Sequence, residues 1–184
     1  MRPMLSFVTG NTHKIDEARY ALPEFDIQQA SFDIPEIQGT QEEIVIDKAL
    51  KAFALLKKPC IVEDVSLCID AWKGLPGPYI RTFAETLKAQ GLWELVKHLK
   101  DTSCSAIATI GYAEQGQKPF LFEGVVKGKL VAPRGTLGWG FNPIFEPEGM
   151  GKTYAEMGGE GKSKISHRKR ALEKLHSYLK TKGY

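Results

Sequence analysis

Three features of this sequence predict an α/β fold built on a mixed sheet. Short apolar runs alternate with helix-period segments through the first half of the chain. The first run ends in a glycine turn that opens at once into a helix. Later, two longer strand-like runs, residues 105–113 and 119–131, lie close enough in sequence to pair antiparallel. With 184 residues the chain suits one large domain or two closely packed lobes.

The elements follow in order. "MLSFVTG" reads as a short buried strand that stops at Gly10. Ile15, Ala18 and Leu22 then recur at helical spacing until Pro23 ends the helix, and "FDIQQASF" supplies a second strand. Thr40 followed by Glu43 forms a capping box, opening a helix that carries Val45, Ala49, Phe53 and Leu56 on one side. Pro59 stops it, and "CIVED" reads as a buried strand ending in two acids. "KGLPGPYI" is a turn-rich loop, followed by helical patterns near 80–88 and 91–99. Of the two later strands, the second is long enough to bend at Gly124 or Gly128. A last helix is predicted from about Ser163 to about Lys180.

Apolar content of 42% and charged content of 26% are ordinary for a soluble globular protein. The apolar runs are too short to span a bilayer, and the N-terminus has no apolar leader. The three cysteines form no CxxC pair, which suits a reducing compartment. A soluble, cytoplasmic protein without a membrane partner is therefore expected. Net charge is +3 but unevenly spread: eight Lys or Arg lie between Lys162 and Lys182, against the single acid Glu173. That run suits a solvated helix face, a nucleic-acid surface or part of a site for a small polyanion.

Gly151-Lys152-Thr153 matches the tail of a phosphate-binding P-loop, but the loop needs a further Gly where this chain has Glu146. Pro147 also removes a backbone donor. A surface turn, with Thr153 capping a short helix "YAEM", accounts for the string. The better anion site is "TGNTHK", where a strand gives way to a helix and backbone N–H groups converge at the positive helix end. There Gly10 permits the turn, Thr9 and Asn11 offer hydrogen bonds, and Lys14 reaches back as a point charge; a plain N-cap with a solvated lysine is the simpler alternative. Glu63 and Asp64 follow on a strand, pointing to opposite faces, and Glu36 lies in the loop before the second helix. Scattered acids of this kind suit Mg²⁺, which takes a few carboxylates plus phosphate oxygens, and suit zinc poorly.

On the last helix Ile165, Leu172, Leu175 and Leu179 form an apolar stripe that includes Arg168, so this cation either finds a partner or ligand or snorkels to the edge. His167 falls nearly opposite the stripe, on the exposed side. In "GTLGWGFNPIF" the glycines let a planar ligand approach, and Trp139 or Phe141 could stack on a base; a bulged turn with buried aromatics is the alternative.

Taken together, "TGNTHK", "PEIQGT", "VEDVSLCIDAWKGLPGPYI", "GWGFNPIF", "TYAEM" and "SHRKRAL" resemble one family, the inosine triphosphate pyrophosphatases. Order and spacing agree over nearly the whole chain, and the "VED" and "GLPGPYI" wording looks closest to the eukaryotic-type branch. The resemblance implies a single domain over residues 1–184, an elongated mixed sheet with two lobes around a central nucleotide-binding cleft, and a homodimer. It implies hydrolysis of ITP, dITP and XTP to the monophosphate and pyrophosphate, keeping deaminated purines out of DNA and RNA. Mg²⁺, with Mn²⁺ as a substitute, would be held by Glu36 and Asp64 with Glu63 beside them. Thr9, Gly10, Asn11 and Lys14 match the triphosphate-binding residues, and Lys48 a lysine near the phosphates; Asp64, Lys14 and Lys48 are the expected catalytic set. Trp139, Gly140, Phe141 and Asn142 match the base-stacking loop. Lys162, Ser166, His167 and Arg168 match the base-side cluster, which brings His167 into the site and has Arg168 donate to the purine 6-oxo oxygen. One departure stands out: the family has Asp where this chain has Asn142, and an amide both donates and accepts where a carboxylate only accepts. An altered preference among ITP, XTP and GTP, or a weaker activity, is expected. A related house-cleaning pyrophosphatase for modified pyrimidine or methylated nucleotides is the alternative enzyme. A nucleic-acid-binding C-terminal helix is the non-enzymatic one, and no nucleic-acid partner is expected.

Overall fold

In chain order the elements are β1 (Met4–Val8), α1 (Thr12–Ala21), β2 (Asp26–Ala30), α2 (Gln41–Leu56), β3 (Cys60–Ile69), β4 (Pro76–Gly77), α3 (Ile80–Val96), β5 (Ser103–Ala113), β6 (Phe120–Leu130), β7 (Phe145–Pro147), α4 (Tyr154–Ser163) and α5 (His167–Thr181). A short 3-10 turn at Asp70–Trp72 follows β3. They come from a computed structural model that describes residues 2–183. The strands form one seven-stranded sheet in the order β2-β1-β3-β5-β6-β7, with β4 beside β3. Strand β1 runs parallel to β2 and β3, placing Leu5 opposite Ile27 and Ser6 opposite Cys60. The β3–β4 and β6–β7 pairs are antiparallel, so the sheet is mixed, as predicted.

The chain divides into two compact units. The first comprises Met1–Asp64, Ala108–Gly124 and Arg168–Tyr184; the second, Val65–Ile107 and Val125–His167. In the first unit Val8, Val45, Ala49, Ala52, Cys60, Val62 and Ala113 form the core beneath α2. Gly111 is required there by close approach: a Cβ would lie 2.8 Å from Val45 Cγ1 and 3.2 Å from Val62 Cγ2. Helix α2 starts with the capping box read from the sequence, Thr40 accepting from the Glu43 N–H while the Glu43 carboxylate accepts from Thr40. It ends at Lys57, which takes the left-handed conformation ahead of Pro59.

In the second unit Leu67, Ile69, Leu92, Val96, Cys104, Val126, Leu130, Ile144, Phe145 and Tyr154 are packed together. Helix α3 is broken at Lys88 (φ 57°, ψ 177°), which separates the two helical patterns the sequence shows there.

Two boundaries differ from expectation. Strand β3 does not stop at the acids but continues to Ile69, because Leu67 and Ile69 keep its apolar positions buried. The last helix begins at His167, since α4 already occupies Tyr154–Ser163, capped by Thr153. Among the described residues, no helix is long and apolar enough to cross a membrane.

Candidate active site

The first unit gathers the polyanion and acid candidates. At the β1–α1 turn, Asn11 is the N-cap: its Oδ1 accepts from the Lys14 N–H, while Thr9 Oγ1 accepts from the Asn11 N–H. Gly10 is not forced by backbone conformation, as the sequence suggested. Its φ is not positive, and a Cβ would stand 3.7 Å from Ser31 Oγ, an ordinary contact. What glycine leaves there is an exposed, uncovered stretch of backbone. Lys14 curls back from the first turn of α1, its Nζ 3.3 Å from Glu63 Oε1 and donating to the Glu63 carbonyl at 3.4 Å. Burial lowers the Lys14 ammonium from the usual lysine range, while the Glu63 charge opposes that shift.

Glu63 and Asp64 sit side by side on β3 and diverge, as the strand period requires. Glu63 is fully buried and accepts a two-bond fork from Arg168, Nε to Oε2 at 2.7 Å and Nη2 to Oε1 at 2.9 Å. Placed by its sequence among the metal-side acids, its carboxylate is here engaged by two cations, Arg168 and Lys14. Asp64 differs. Its Oδ2 is buried without a hydrogen-bond partner, and its carbonyl accepts from Gln41 Nε2 at 3.1 Å. Burial pushes its carboxyl up to about 6, with Lys14 and Lys48 opposing the rise and Glu36 and Glu63 adding to it. Helix α2 contributes Lys48, whose Nζ lies 2.6 Å from Glu36 Oε1 in the preceding loop; Lys51 ties that loop down through the Pro35 carbonyl at 3.1 Å. One half-buried carboxylate with a buried, orphan oxygen thus stands among two lysines and two further acids.

Arg168 does not snorkel. It is 1% exposed, and its Nη1 lies 2.8 Å from Glu17 Oε2 on α1, in addition to the fork with Glu63. Expected to donate to a purine, it has carboxylate partners on both α1 and β3. Glu17 was missed in the sequence, where it reads as an ordinary helix acid. Its signal is its place three residues after Lys14, on the same helix face.

The second unit holds the aromatic candidates. The loop between β6 and β7 turns on Gly138 (φ 87°) and Gly140 (φ 63°), conformations that favour glycine. Trp139 is half-buried, and the buried Lys162 ammonium lies 5.6 Å from its ring centroid and 5.5 Å from that of Tyr154. Phe141, by contrast, is a core residue, with ring centroids 5.9 Å from Phe145 and 6.1 Å from His167. Asn142 is buried, its side-chain amide packed over Gly138 and its backbone carbonyl accepting from the Ala155 N–H at 3.1 Å. Ser166 is fully buried as well. His167 is only 2% exposed, contrary to the helical-wheel reading. It opens α5, and its ring is covered by Tyr154 and Phe141 from outside that helix, partners that a wheel for one helix does not show. His167 stacks on Tyr154 at 5.9 Å, with Nδ1 3.5 Å from the Tyr154 hydroxyl. Tyr154 was read only as part of a helix start; its place beside Lys162 and His167 makes it part of this cluster.

Gly151-Lys152-Thr153 is a turn and a cap. Gly149 and Gly151 have positive φ, Thr153 caps α4, and Glu146 pairs with Arg134 and Lys129. The basic C-terminal run is largely drawn into ion pairs and ring contacts: Lys164 with Glu160, Lys169 with Glu173, Lys182 with Glu114 and over Tyr178.

Comparison with known proteins places the whole chain in one family. The Ham1 family model matches residues 5–178. Proteins named inosine triphosphate pyrophosphatase from Pyricularia oryzae and Neurospora crassa are each 45% identical over 180 residues, covering 97% of this chain and 94% and 93% of theirs. Among solved structures, a HAM1 protein from Coxiella burnetii matches with a TM-score of 0.87 at 28% identity, covering 97% of this chain and 99% of its own. The Staphylococcus aureus Ham1 protein matches at 0.85 and 25%, with the same coverage. In sequence and fold alike, this chain belongs to the Ham1 family.

Proposed function

We propose that this protein is a nucleoside triphosphate pyrophosphatase that hydrolyses ITP, dITP and XTP to the monophosphate and pyrophosphate, removing deaminated purines from the nucleotide pool. The observation that carries this reading is Asp64: a half-buried carboxylate with one buried, unpartnered oxygen, close to Lys14 and Lys48. Its carboxyl at about 6 is ionised at neutral pH yet basic enough to take a proton. The names borne by the relatives point to the same reaction.

The chain's own groups then divide the work. Asp64 accepts the proton of a water that attacks the α-phosphorus; the bond from that phosphorus to the bridging oxygen breaks, and pyrophosphate leaves with the bond electrons. Lys14, fixed beside the capped turn of α1, and Lys48 counter the charge that grows on the departing group. The α1 N-terminus and the open backbone at Gly10 suit phosphate oxygens. Trp139 offers the stacking face, and Lys162, held over that ring, offers a donor to a 6-oxo purine. Adenine presents an amino donor instead, leaving a buried cation facing a donor, a costly mismatch.

The donor set fits Mg²⁺. Among the described residues, no group of three or more His, Cys, Asp and Glu side chains forms a closed metal site. Mg²⁺ needs only one or two carboxylates beside phosphate oxygens and water, and the orphan Asp64 oxygen with the nearby Glu36 provides them. Bound there, the ion would supply charge neutralisation and orientation of the triphosphate. Mn²⁺ would substitute, and a cytosolic homodimer belongs to the same reading.

The test is a substrate comparison with Mg²⁺: ITP, XTP, GTP and ATP against modified UTP and TTP. Turnover of ITP and XTP with ATP spared supports the reading. Preference for the modified pyrimidines would replace it with the alternative house-cleaning activity.

A further inference from the structure

Four charged side chains of the first unit form one continuous chain. Glu17 Oε2 lies 2.8 Å from Arg168 Nη1; Arg168 Nε and Nη2 donate to Glu63 at 2.7 and 2.9 Å; Glu63 Oε1 lies 3.3 Å from Lys14 Nζ. The signs alternate and sum to zero, which a buried set requires if no member is to stand uncompensated. Its two ends, Lys14 and Glu17, are three residues apart on α1, so one helix face supplies both a cation and an anion to the same buried pair.

The geometry shows what Glu17 adds. The two-bond fork sets the angle at which Arg168 meets Glu63. Glu17, 2.8 Å from Nη1 as an ion pair, adds a charge that draws the far side of the guanidinium toward α1. Glu63 is shared between Arg168 and Lys14, so where Arg168 sits decides how Glu63 meets Lys14. We propose that Glu17 is a positioning residue for triphosphate cleavage: by anchoring Arg168 it holds Glu63 against Lys14, and so sets the lysine ammonium where the phosphates bind. This rests on the pyrophosphatase reading and gives Glu63 and Arg168 an organising role. Glu17 itself is partly exposed and touches the site only through the chain, its side chain being 21% accessible.

The test is a double-mutant cycle. Glu17→Gln keeps size and an accepting oxygen while removing the charge. It is expected to lower kcat/KM for ITP about tenfold, and to have less than about a twofold effect in a Lys14→Ala background, because its influence passes through that lysine. Binding of inorganic pyrophosphate, measured by calorimetry, should show the same pattern without turnover. If Glu17→Gln does not fold, Glu17→Asp enters the same cycle; one methylene shorter, it should show a smaller loss that again needs Lys14. An equal loss in both backgrounds, or none in either, overturns the proposal. Wild-type protein that binds pyrophosphate with the expected coupling yet leaves ITP intact would overturn the pyrophosphatase reading and leave the charge chain standing.

Discussion

Glu63 and Arg168 meet through two hydrogen bonds of 2.7 and 2.9 Å, from residues 105 apart in sequence, and both side chains are withdrawn from water. A buried pair of this kind contributes little net stability, since desolvation offsets its attraction, but losing one partner leaves a buried charge exposed to that full cost. Arg168→Met should therefore destabilise the protein by about 3–5 kcal/mol in urea unfolding. Replacing both members with apolar residues should cost less than that single change. A neutral Arg168→Met would mean that the pair is not formed in solution.

Asp64 predicts a pH dependence of opposite sense for activity and for stability. The working form is the carboxylate, so kcat/KM should fall as pH drops through about 6. For stability, the folded value lies above the unfolded one: the native state holds its proton more tightly, and the associated stability, present below about pH 4, is lost as pH rises through about 6. In Mg²⁺-free buffer Asp64→Asn should thus be more stable than wild type at pH 7.5, by about 1–3 kcal/mol, with the difference vanishing near pH 4. Added Mg²⁺ should narrow the gap at pH 7.5 by stabilising only the wild type. Paired melts at the two pH values check the sign.

The two aromatics of the glycine loop should separate cleanly. Trp139 is half-buried and available for stacking, so Trp139→Ala should raise KM for ITP about tenfold or more with little change in melting temperature. Phe141 is a core residue, so Phe141→Ala should cost about 3–5 kcal/mol of stability. The reverse pattern would exchange their roles.

Asn142 packs its amide over Gly138, where a Cβ would collide with its Nδ2 and φ is +87°. Gly138→Ala should therefore displace Asn142 as well as strain the turn, lowering both stability and ITP turnover. Asn142→Asp turns a group that donates and accepts into one that only accepts. It should shift the ratio of kcat/KM between GTP and ITP by about threefold or more. Side-by-side kinetics on both substrates would show an unchanged ratio if Asn142 does not face the base.

Much of the fold was legible because local chemistry and tertiary structure agree. Thr40 with Glu43 and Thr153 with Glu156 are reciprocal caps whose partners lie within one turn, so spacing alone finds them. The turn after β1 was legible for the same reason, through Asn11 and Lys14. What escaped depends on distance in sequence. A helical wheel turns His167 outward because it registers only the apolar stripe of α5, whereas Tyr154 and Phe141 cover the ring from elsewhere in the chain. The division of labour between Glu63 and Asp64 could be anticipated from the strand period, but which acid faces Arg168 is decided by a contact across 105 residues. Glu17 carries no local mark of its role, since only the arrival of α5 beside α1 gives it a buried cation.

The most direct measurement is to follow ITP and Mg²⁺ by ³¹P NMR with wild-type protein and with Asp64→Asn. Wild type should yield IMP and pyrophosphate, and Asp64→Asn should be slower by about 10²–10⁴-fold while remaining folded. Wild-type speed in Asp64→Asn, or release of IDP and phosphate by the wild type, would contradict the assignment of the reaction to this carboxylate and its lysines.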